Sequence, residues 1–344
     1  MHLDPDIAAY LQDIALHTPP AGWPKGNDPI ATARVLHERK AAFVTPPQER
    51  SAVACVEDQS IPGPDEPVKI RIYNPLLPPN QHNSPPLVLW MHGGGWMTGS
   101  LETGDILARA VCEALHAFVI SVDYRLAPEH PWPAGLDDCT AALAWATAHA
   151  KELGADPERI IVGGDSAGGN LAAVIAQTSA PKTTLTGQLL LYPAVDLDTN
   201  ADDRFPSRME KADGYGLGLD EIRTCYRVYA AGTDITNPNI SPLRAATFAC
   251  LPPAVIAVAQ HDPLRDEGCE YAKSLEAASV PVVLHQGLGL VHGCFDMLGL
   301  SPAAAEELDR VLDSATAVFN LTKPISEFDM RIKPGGKRSA ISSP

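Results

Sequence analysis

The chain has 344 residues, of which 45% are hydrophobic and 20% charged, as in ordinary globular proteins. That length is enough for one large domain with a smaller addition. The formal net charge of −16 argues against nucleic acids and anionic membrane surfaces as partners, because both are themselves negatively charged.

The first 50 residues have a helical pattern. Ile7, Leu11 and Ile14 share one face of a short helix, and Asp28-Pro29 is typical of the start of a second helix. The amino terminus lacks the apolar segment of a secretory signal. No apolar run along the chain reaches the roughly 18 residues that a membrane span needs. We therefore expect no membrane span.

Short apolar runs rich in β-branched residues follow, and we predict strands there. They lie at 52–56, 68–73, 87–90, 117–122, 159–162, 188–192, 254–259 and 281–284. Helical patterns separate most of the later runs. Strands that alternate with helices and are apolar throughout predict the α/β class, with a mostly parallel central sheet and helices on both faces.

The alternation breaks between Tyr192 and Leu251, where the connection is too long for a plain crossover. We interpret residues 197–240 as an insertion that packs with residues 1–50 to form a helical cap. The catalytic domain would then comprise 51–196 and 241–320. Residues 321–344 are rich in Pro, Gly, Ser and Lys, and we expect them to be a mobile tail.

A G-x-S-x-G motif runs from Gly164 to Gly168, between a predicted buried strand and a predicted helix. A strand that turns sharply into a helix exposes the central side chain at the carboxyl edge of the sheet. Small residues on both sides let the two backbones approach each other. The motif therefore predicts Ser166 as a nucleophile.

A serine nucleophile needs a base and an acid, which in open parallel sheets follow the carboxyl ends of later strands. Asp262 follows the strand pattern at 254–259, and we favour it as the acid. Asp266 and Glu267 are rivals, but they open the next helix, where carboxylates commonly interact with free N–H groups.

We predict that His292 is the base, because it follows the last strand and completes the order serine, acid, histidine. His285 lies within that strand, and His261 comes too early in this order. No histidine has the spacing of a metal motif such as H-E-x-x-H, so we expect no metal site.

The glycine run that follows Met91 is a second catalytic signal. Glycines let the main chain approach a reacting centre and direct N–H groups at a developing oxyanion. We predict that Gly93, Gly94 and Ala167 donate these N–H groups. His92 is interpreted as structural, holding the loop through its ring nitrogens.

Together these motifs resemble the bacterial hormone-sensitive-lipase-like (family IV) esterases of the α/β-hydrolase fold. The family's H-G-G-G-[FW] is His92–Trp96, and its D-Y-R-L-A-P-E-x-P-[FW]-P-A block is 123–134. Its G-D-S-A-G-G-N is Gly164–Asn170, and its D-P-L-R-D-E-G is Asp262–Gly268. The family's H-G-F departs here, because Cys294 occupies its third position. The resemblance implies a cap, carboxylesterase activity on short acyl chains and often a homodimer.

We expect a serine carboxylesterase that hydrolyses small-molecule esters through an acyl-enzyme intermediate and needs no cofactor. An amide, thioester or lactone hydrolase would use the same residues. A non-catalytic ligand receptor of this fold is a further alternative, but such receptors lack the histidine. The seven scattered cysteines, without a C-x-x-C pair, predict free thiols in a reducing compartment and hence a cytoplasmic location.

Overall fold

The computed structural model describes residues 2–17, 29–77, 84–179 and 185–321. In these ranges the strands form one eight-stranded sheet in the order β1-β2-β4-β3-β5-β6-β7-β8. The strands are β1 (Cys55–Ile61), β2 (Val68–Asn74), β3 (Leu87–Met91), β4 (Phe118–Asp123), β5 (Ile160–Asp165), β6 (Leu185–Leu191), β7 (Ala254–His261) and β8 (Val282–Val291). β2 runs antiparallel to its neighbours β1 and β4, whereas β3 to β8 run parallel to one another.

Helices cover both faces of this sheet. They are α1 (Pro5–His17), α2 (Pro29–Val44), α3 (Leu101–Leu115), α4 (Ala134–Leu153), α5 (Ala167–Ser179), α6 (Pro206–Glu210), α7 (Leu219–Ala230), α8 (Arg265–Ala277) and α9 (Pro302–Val318). Side chains of α4, α5 and α8 pack into the core on one face. Side chains of α3 and α9 fill the other face, joined by α1. The predicted α/β-hydrolase fold is confirmed.

The central strands explain where the site lies. Every residue of β3 and β5 is buried, because helices cover them from both sides. Met91 at the end of β3 lies opposite Gly164 near the end of β5. The loops that follow these two strands therefore emerge side by side at one edge of the sheet.

Two strand predictions were misplaced, both at the edges of the sheet. The first strand was expected at 52–56 but is Cys55–Ile61, a largely exposed strand whose polar residues pair in a hairpin with β2. The last strand was expected at 281–284 but continues to Val291. Edge strands carry polar residues and glycine, so apolar runs do not mark their ends.

The predicted cap segments contain helices. The described part of residues 1–50 contains α1 and α2, and the insertion at 197–240 contains α6 and α7. Of residues 321–344, expected to be a tail, Leu321 is buried in the core, and 322–344 lie outside the described residues. Within the described ranges, no helix combines the length and apolar character needed to cross a membrane.

Candidate active site

Ser166 lies at the sharp turn from β5 into α5. Its φ of 54° is in the left-handed region, which is strained for a residue with a side chain. A Cβ on Gly168 would lie 2.0 Å from the carbonyl oxygen of Met91, so only glycine lets the turn pack against β3. The Ser166 N–H donates to the carbonyl of Leu191 at 2.8 Å. The turn is thus fixed from both sides, and the hydroxyl points away from the sheet.

A chain of hydrogen bonds joins the three predicted catalytic side chains. His292 Nε2 lies 2.8 Å from Ser166 Oγ, and His292 Nδ1 lies 2.8 Å from Asp262 Oδ2. Asp262 is fully buried, and its second oxygen accepts the N–H of Leu264 at 2.7 Å. The structure therefore brings together a hydroxyl, an imidazole and a buried carboxylate in the arrangement of an activated nucleophile.

The rival carboxylates have other partners. Asp266 accepts the N–H of Ser207 at 2.7 Å and pairs with Arg265 at 2.8 Å. Glu267 is fully buried and pairs with the buried guanidinium of Arg208 at 2.6 Å. Both carboxylates thus attach α6 of the insertion to α8 of the core.

The rival histidines also lie elsewhere. His285 Nε2 is 2.9 Å from the hydroxyl of Ser314 on α9. The ring of His261 stacks on Tyr215, with 5.0 Å between ring centroids. Neither ring takes part in the Ser166–His292–Asp262 chain.

The loop after β3 has an unusual backbone. Gly94, Gly95 and Trp96 have φ values of 118°, 60° and 58°, three consecutive residues in the left-handed region. A positive φ is a genuine outlier for a residue as bulky as tryptophan. Trp96 is held by stacking on Tyr229 of α7, with 4.3 Å between centroids and 6° between ring planes.

Side chains hold two carbonyls of this loop. The Gly93 carbonyl accepts from His92 Nδ1 at 2.8 Å, and the Gly94 carbonyl accepts from the Thr98 hydroxyl at 3.0 Å. Because the peptide unit is planar and trans, fixing each carbonyl also directs the N–H of the following residue the opposite way. The N–H groups fixed in this way belong to Gly94 and Gly95.

His92 contacts the loop through one ring nitrogen rather than two. Its Nδ1 holds the Gly93 carbonyl, whereas Nε2 is buried without a hydrogen-bond partner among the described residues. The ring is fixed instead by stacking on Tyr124, with 4.4 Å between centroids. The expectation that both nitrogens hold the loop was wrong.

The N–H of Gly93 faces a carboxylate. Burial raises the pKa of Asp165 well above its usual value, the nearby Asp296 carboxylate raises it further, and the backbone N–H groups of Asp165 and Gly93 oppose this rise. A Cβ on Gly93 would lie only 2.2 Å from Asp165 Oδ2. The N–H of Gly93 is therefore less available to an oxyanion than the N–H of Gly95. Gly95 is not among the donors predicted from sequence, because three successive glycines cannot be distinguished by pattern.

The predicted catalytic groups open into one cavity of about 560 Å³. Ser166, His292, Ala167 and the three glycines of the loop line its floor. Both predicted cap segments contribute to its walls, together with residues of the core such as Tyr192 and Leu264. Residues 1–50 contribute among others Tyr10, Leu11, Leu36, His37, Lys40 and Phe43, and the insertion contributes Gly216, Leu217, Glu221, Ile222, Cys225 and Tyr226.

Cys294, the departure from the family pattern, is buried behind His292. Burial raises the pKa of its thiol well above the usual value, so the thiol stays protonated. The next residue, Phe295, stacks on Tyr192 with 5.5 Å between centroids, and Tyr192 in turn contacts the His292 ring at 4.8 Å. Phe295 thus supports the His292 ring through Tyr192, from one position after the one that holds phenylalanine in the family pattern.

Comparisons with known proteins find esterases of the same fold. A family model described as the α/β hydrolase fold matches residues 88–296. Esterase LipI of Mycobacterium tuberculosis is 45% identical over 269 residues, which cover 77% of this chain and 82% of the relative. An ethyl acetate hydrolase of Pseudomonas putida is 33% identical over 331 residues, covering 91% and 98%. The solved hyperthermophilic esterase of Pyrobaculum calidifontis superimposes with a TM-score of 0.82 at 33% identity, covering 92% of this chain and 100% of that one.

Proposed function

Because the chain belongs to the bacterial hormone-sensitive-lipase-like esterases of the α/β-hydrolase fold and is a carboxylic ester hydrolase, we propose that Ser166, His292 and Asp262 are its catalytic triad. The observation that carries this proposal is the pair of 2.8 Å contacts from the His292 ring to Ser166 and Asp262. Esterase and carboxylesterase are the names of close relatives, and the site contains what ester hydrolysis requires.

In the proposed reaction His292 Nε2 takes the proton of Ser166 as Oγ attacks the ester carbonyl. The imidazolium then protonates the leaving alkoxide, which leaves an acyl-enzyme. A water molecule, deprotonated by the same nitrogen, releases the acid and restores Ser166. The buried carboxylate of Asp262 keeps a proton on Nδ1, so that Nε2 is free to accept.

The tetrahedral intermediate carries a negative oxygen that needs N–H donors. We propose Ala167 at the start of α5 and Gly94 in the loop after β3. Gly95 is preferred over Gly93 as the third donor, since the Gly93 N–H faces the Asp165 carboxylate. His92 then supports the hole by holding the Gly93 carbonyl, which shares a peptide unit with the Gly94 N–H.

We further propose that residues 1–50 and 197–240 form a cap over the catalytic domain. The support is that both segments line the cavity that contains Ser166. A cavity of about 560 Å³ suits short acyl chains better than long ones, because its volume limits the length of the chain that fits.

A homodimer through β8 is the proposed assembly. This strand ends the described sheet, and its large apolar residues Leu284 and Leu288 are 37% and 56% exposed. Apolar side chains on an open sheet edge favour pairing with a second copy. Light scattering of wild type and Leu288→Lys tests this, because a charge at the edge should shift a dimer to monomer.

Covalent labelling tests the triad directly. An organophosphate should add one phosphoryl group per chain, on the peptide that carries Ser166, and abolish hydrolysis of p-nitrophenyl butyrate. Ser166→Ala should take up no label and lose about 10⁴- to 10⁶-fold in kcat, the range of triad knockouts. Label on another peptide, or more than a tenth of the wild-type kcat in Ser166→Ala, would refute the assignment.

A further inference from the structure

One face of α2 holds the loop that follows the glycine run. Arg34 donates through Nε to the Met97 carbonyl at 2.8 Å and through a terminal nitrogen to the Ala127 carbonyl at 3.2 Å. The same guanidinium binds both oxygens of Glu129, at 2.9 and 2.7 Å. A planar guanidinium with several fixed donors restricts the geometry of all the groups it contacts. Arg34 therefore fixes α2 against two loops of the catalytic core.

One turn further along, His37 lies on the same helix face. Its Nδ1 is 3.0 Å from the Thr98 hydroxyl, which itself donates to the Gly94 carbonyl at 3.0 Å. A threonine hydroxyl has one proton to give. With that proton given to Gly94, we assign His37 the tautomer with a proton on Nδ1, so that the Thr98 hydroxyl accepts from it.

His37 keeps this role across the working range of pH. Burial lowers the pKa of its imidazole to about 3, with further lowering by Lys40 and His92. The ring therefore stays neutral at any pH at which an esterase would be assayed. The hydrogen bond to Thr98 is a permanent part of the folded site.

The Gly94 carbonyl is the end of this chain, where the Thr98 hydroxyl adds to the backbone N–H groups of Met97 at 3.1 Å and Thr98 at 2.9 Å. It belongs to the same planar peptide unit as the Gly95 N–H, the proposed oxyanion donor. The unit joins two glycines with positive φ, and because glycine is conformationally permissive, the position of the unit depends on the contacts around it. The hydrogen bonds from His37 to Thr98 and from Thr98 to the Gly94 carbonyl restrain this peptide unit. This chain of hydrogen bonds begins in the amino-terminal segment.

We propose that His37 is a positioning residue for the oxyanion hole: through Thr98 it fixes the Gly94–Gly95 peptide unit, so that α2 contributes to transition-state stabilisation as well as covering the cavity. Hydrogen bonds in series polarise one another, so the His37 donor also favours a stronger Thr98–Gly94 bond. The inference rests on the proposed oxyanion hole. It concerns a residue remote in sequence from every catalytic motif.

His37→Ala and His37→Asn test the proposal with p-nitrophenyl butyrate as substrate. An asparagine side chain can place an amide N–H near the position of Nδ1, whereas alanine cannot. We expect kcat of His37→Ala to fall about tenfold and KM to change less than twofold. A tenfold fall corresponds to about 1.4 kcal/mol in activation free energy, which is the size expected for the loss of one hydrogen bond. His37→Asn should recover most of the loss.

A transition-state analogue separates positioning from general loosening. A trifluoromethyl ketone forms a tetrahedral adduct with the serine and places an oxyanion in the hole, whereas the corresponding methyl ketone binds as a neutral molecule without a stable adduct. In His37→Ala the Ki of the trifluoromethyl ketone should weaken by the same factor as kcat falls, and the Ki of the methyl ketone should not change. Equal weakening of both inhibitors, or of neither, would overturn the proposal.

His285→Ala is the matched control. It removes a histidine–hydroxyl hydrogen bond of similar length, 2.9 Å to Ser314, between β8 and α9 and away from the cavity. It should keep the wild-type kcat and both Ki values. If wild type and control hydrolyse no ester, the proposed function fails. If they and His37→Ala hydrolyse it equally well, only this inference fails.

Thr98 provides a second measurement should His37→Ala not fold. Thr98→Val removes the hydroxyl and Thr98→Ser retains it, so only the valine variant should lose kcat and affinity for the trifluoromethyl ketone. The double variant His37→Ala/Thr98→Val should be no slower than the slower single variant, because both interrupt one chain. Losses that multiply, or a fully active Thr98→Val, would show that the chain does not position the hole.

Discussion

The carboxylate of Asp262 lies 2.8 Å from Nδ1 of His292, on the side of the ring opposite Ser166. This contact determines which nitrogen carries the proton. Asp262→Asn can present an amide N–H to Nδ1, which favours the tautomer with its proton on Nε2 and so blocks the base. We expect kcat for p-nitrophenyl butyrate to fall about 10⁴-fold while the fold is kept.

Asp266→Asn is the control for that variant, and it should retain kcat. Burial acts to raise the pKa of Asp266, but hydrogen bonds from Arg265 and Ser207 outweigh it and hold the pKa below its usual value of 3.8. The carboxylate therefore stabilises the fold at neutral pH, and this contribution is lost as pH falls through the lowered pKa. Urea denaturation should find the variant less stable at pH 7, with the difference shrinking below pH ~4. A large loss of kcat here, with Asp262→Asn active, would exchange the two roles.

The buried half of the fold and the meeting of Ser166, His292 and Asp262 could be predicted from sequence because each has a local cause. A strand covered on both faces must be apolar throughout, as β3 and β5 are. The turn after β5 packs so closely against β3 that position 168 has no room for a Cβ and must be glycine. Asp262 and His292 follow strand ends, and parallel strands bring their ends together.

The parts that could not be predicted depend on contacts between distant segments. Which glycine of the loop offers its N–H depends on Asp165, Thr98 and His92, and no local pattern distinguishes Gly93 from Gly95. The edges of β1 and β8 were misplaced because pairing, not apolar content, ends those strands. The role inferred for His37 depends on a hydrogen bond that spans 61 positions in sequence.

Gly168 offers a test of the elbow that leaves the reacting groups intact. An alanine Cβ there would lie 2.0 Å from the Met91 carbonyl oxygen, so α5 or the end of β3 must move. We expect Gly168→Ala to lose at least 100-fold in kcat/KM, because a displacement of about 1 Å is enough for such a loss. Gly218→Ala is the control, since its Cβ would meet nothing closer than 3.6 Å. A normal rate in Gly168→Ala would mean that the turn adapts freely.

The buried pair of Arg208 and Glu267 is expected to dominate the stability of the insertion. Both side chains are fully buried and 2.6 Å apart, and Glu267 also accepts the N–H of Val195 at 2.8 Å. Arg208→Met should cost about 3–5 kcal/mol in free energy of unfolding, because it leaves a carboxylate buried without its counter-charge. Urea denaturation measures this.

The double variant Arg208→Met/Glu267→Gln should be more stable than Arg208→Met alone, since it removes the orphaned charge. The exposed pair of Lys273 and Glu270 is the comparison, and Glu270→Gln should cost less than about 1 kcal/mol. Equal costs for the buried and the exposed pair would contradict the argument from burial.

Removal of the amino-terminal segment tests its place in the proposed cap. Ile7 is fully buried in the core beneath α9, and α2 lines the cavity. A protein that lacks residues 1–40 should lose at least tenfold in kcat/KM and aggregate, because apolar core and cavity walls become exposed. Ile7→Ala is a milder version, expected to cost about 2–5 kcal/mol. Ala9→Ser, on the exposed side of α1, should be neutral, and a fully active, monodisperse truncation would exclude this segment from the cap.

The cavity wall predicts how the rate depends on acyl length. A cavity of about 560 Å³ lined by Leu217 should accept acyl chains of about two to eight carbons, judged by ordinary pocket sizes. Leu217→Trp narrows it, so kcat/KM for p-nitrophenyl octanoate should fall at least tenfold further than for the acetate, which occupies only the region near Ser166. Leu76→Trp makes the same change at an exposed position away from the cavity and should alter neither rate. If Leu217→Trp slowed both esters equally, Leu217 would border the reacting centre rather than the path of the acyl chain.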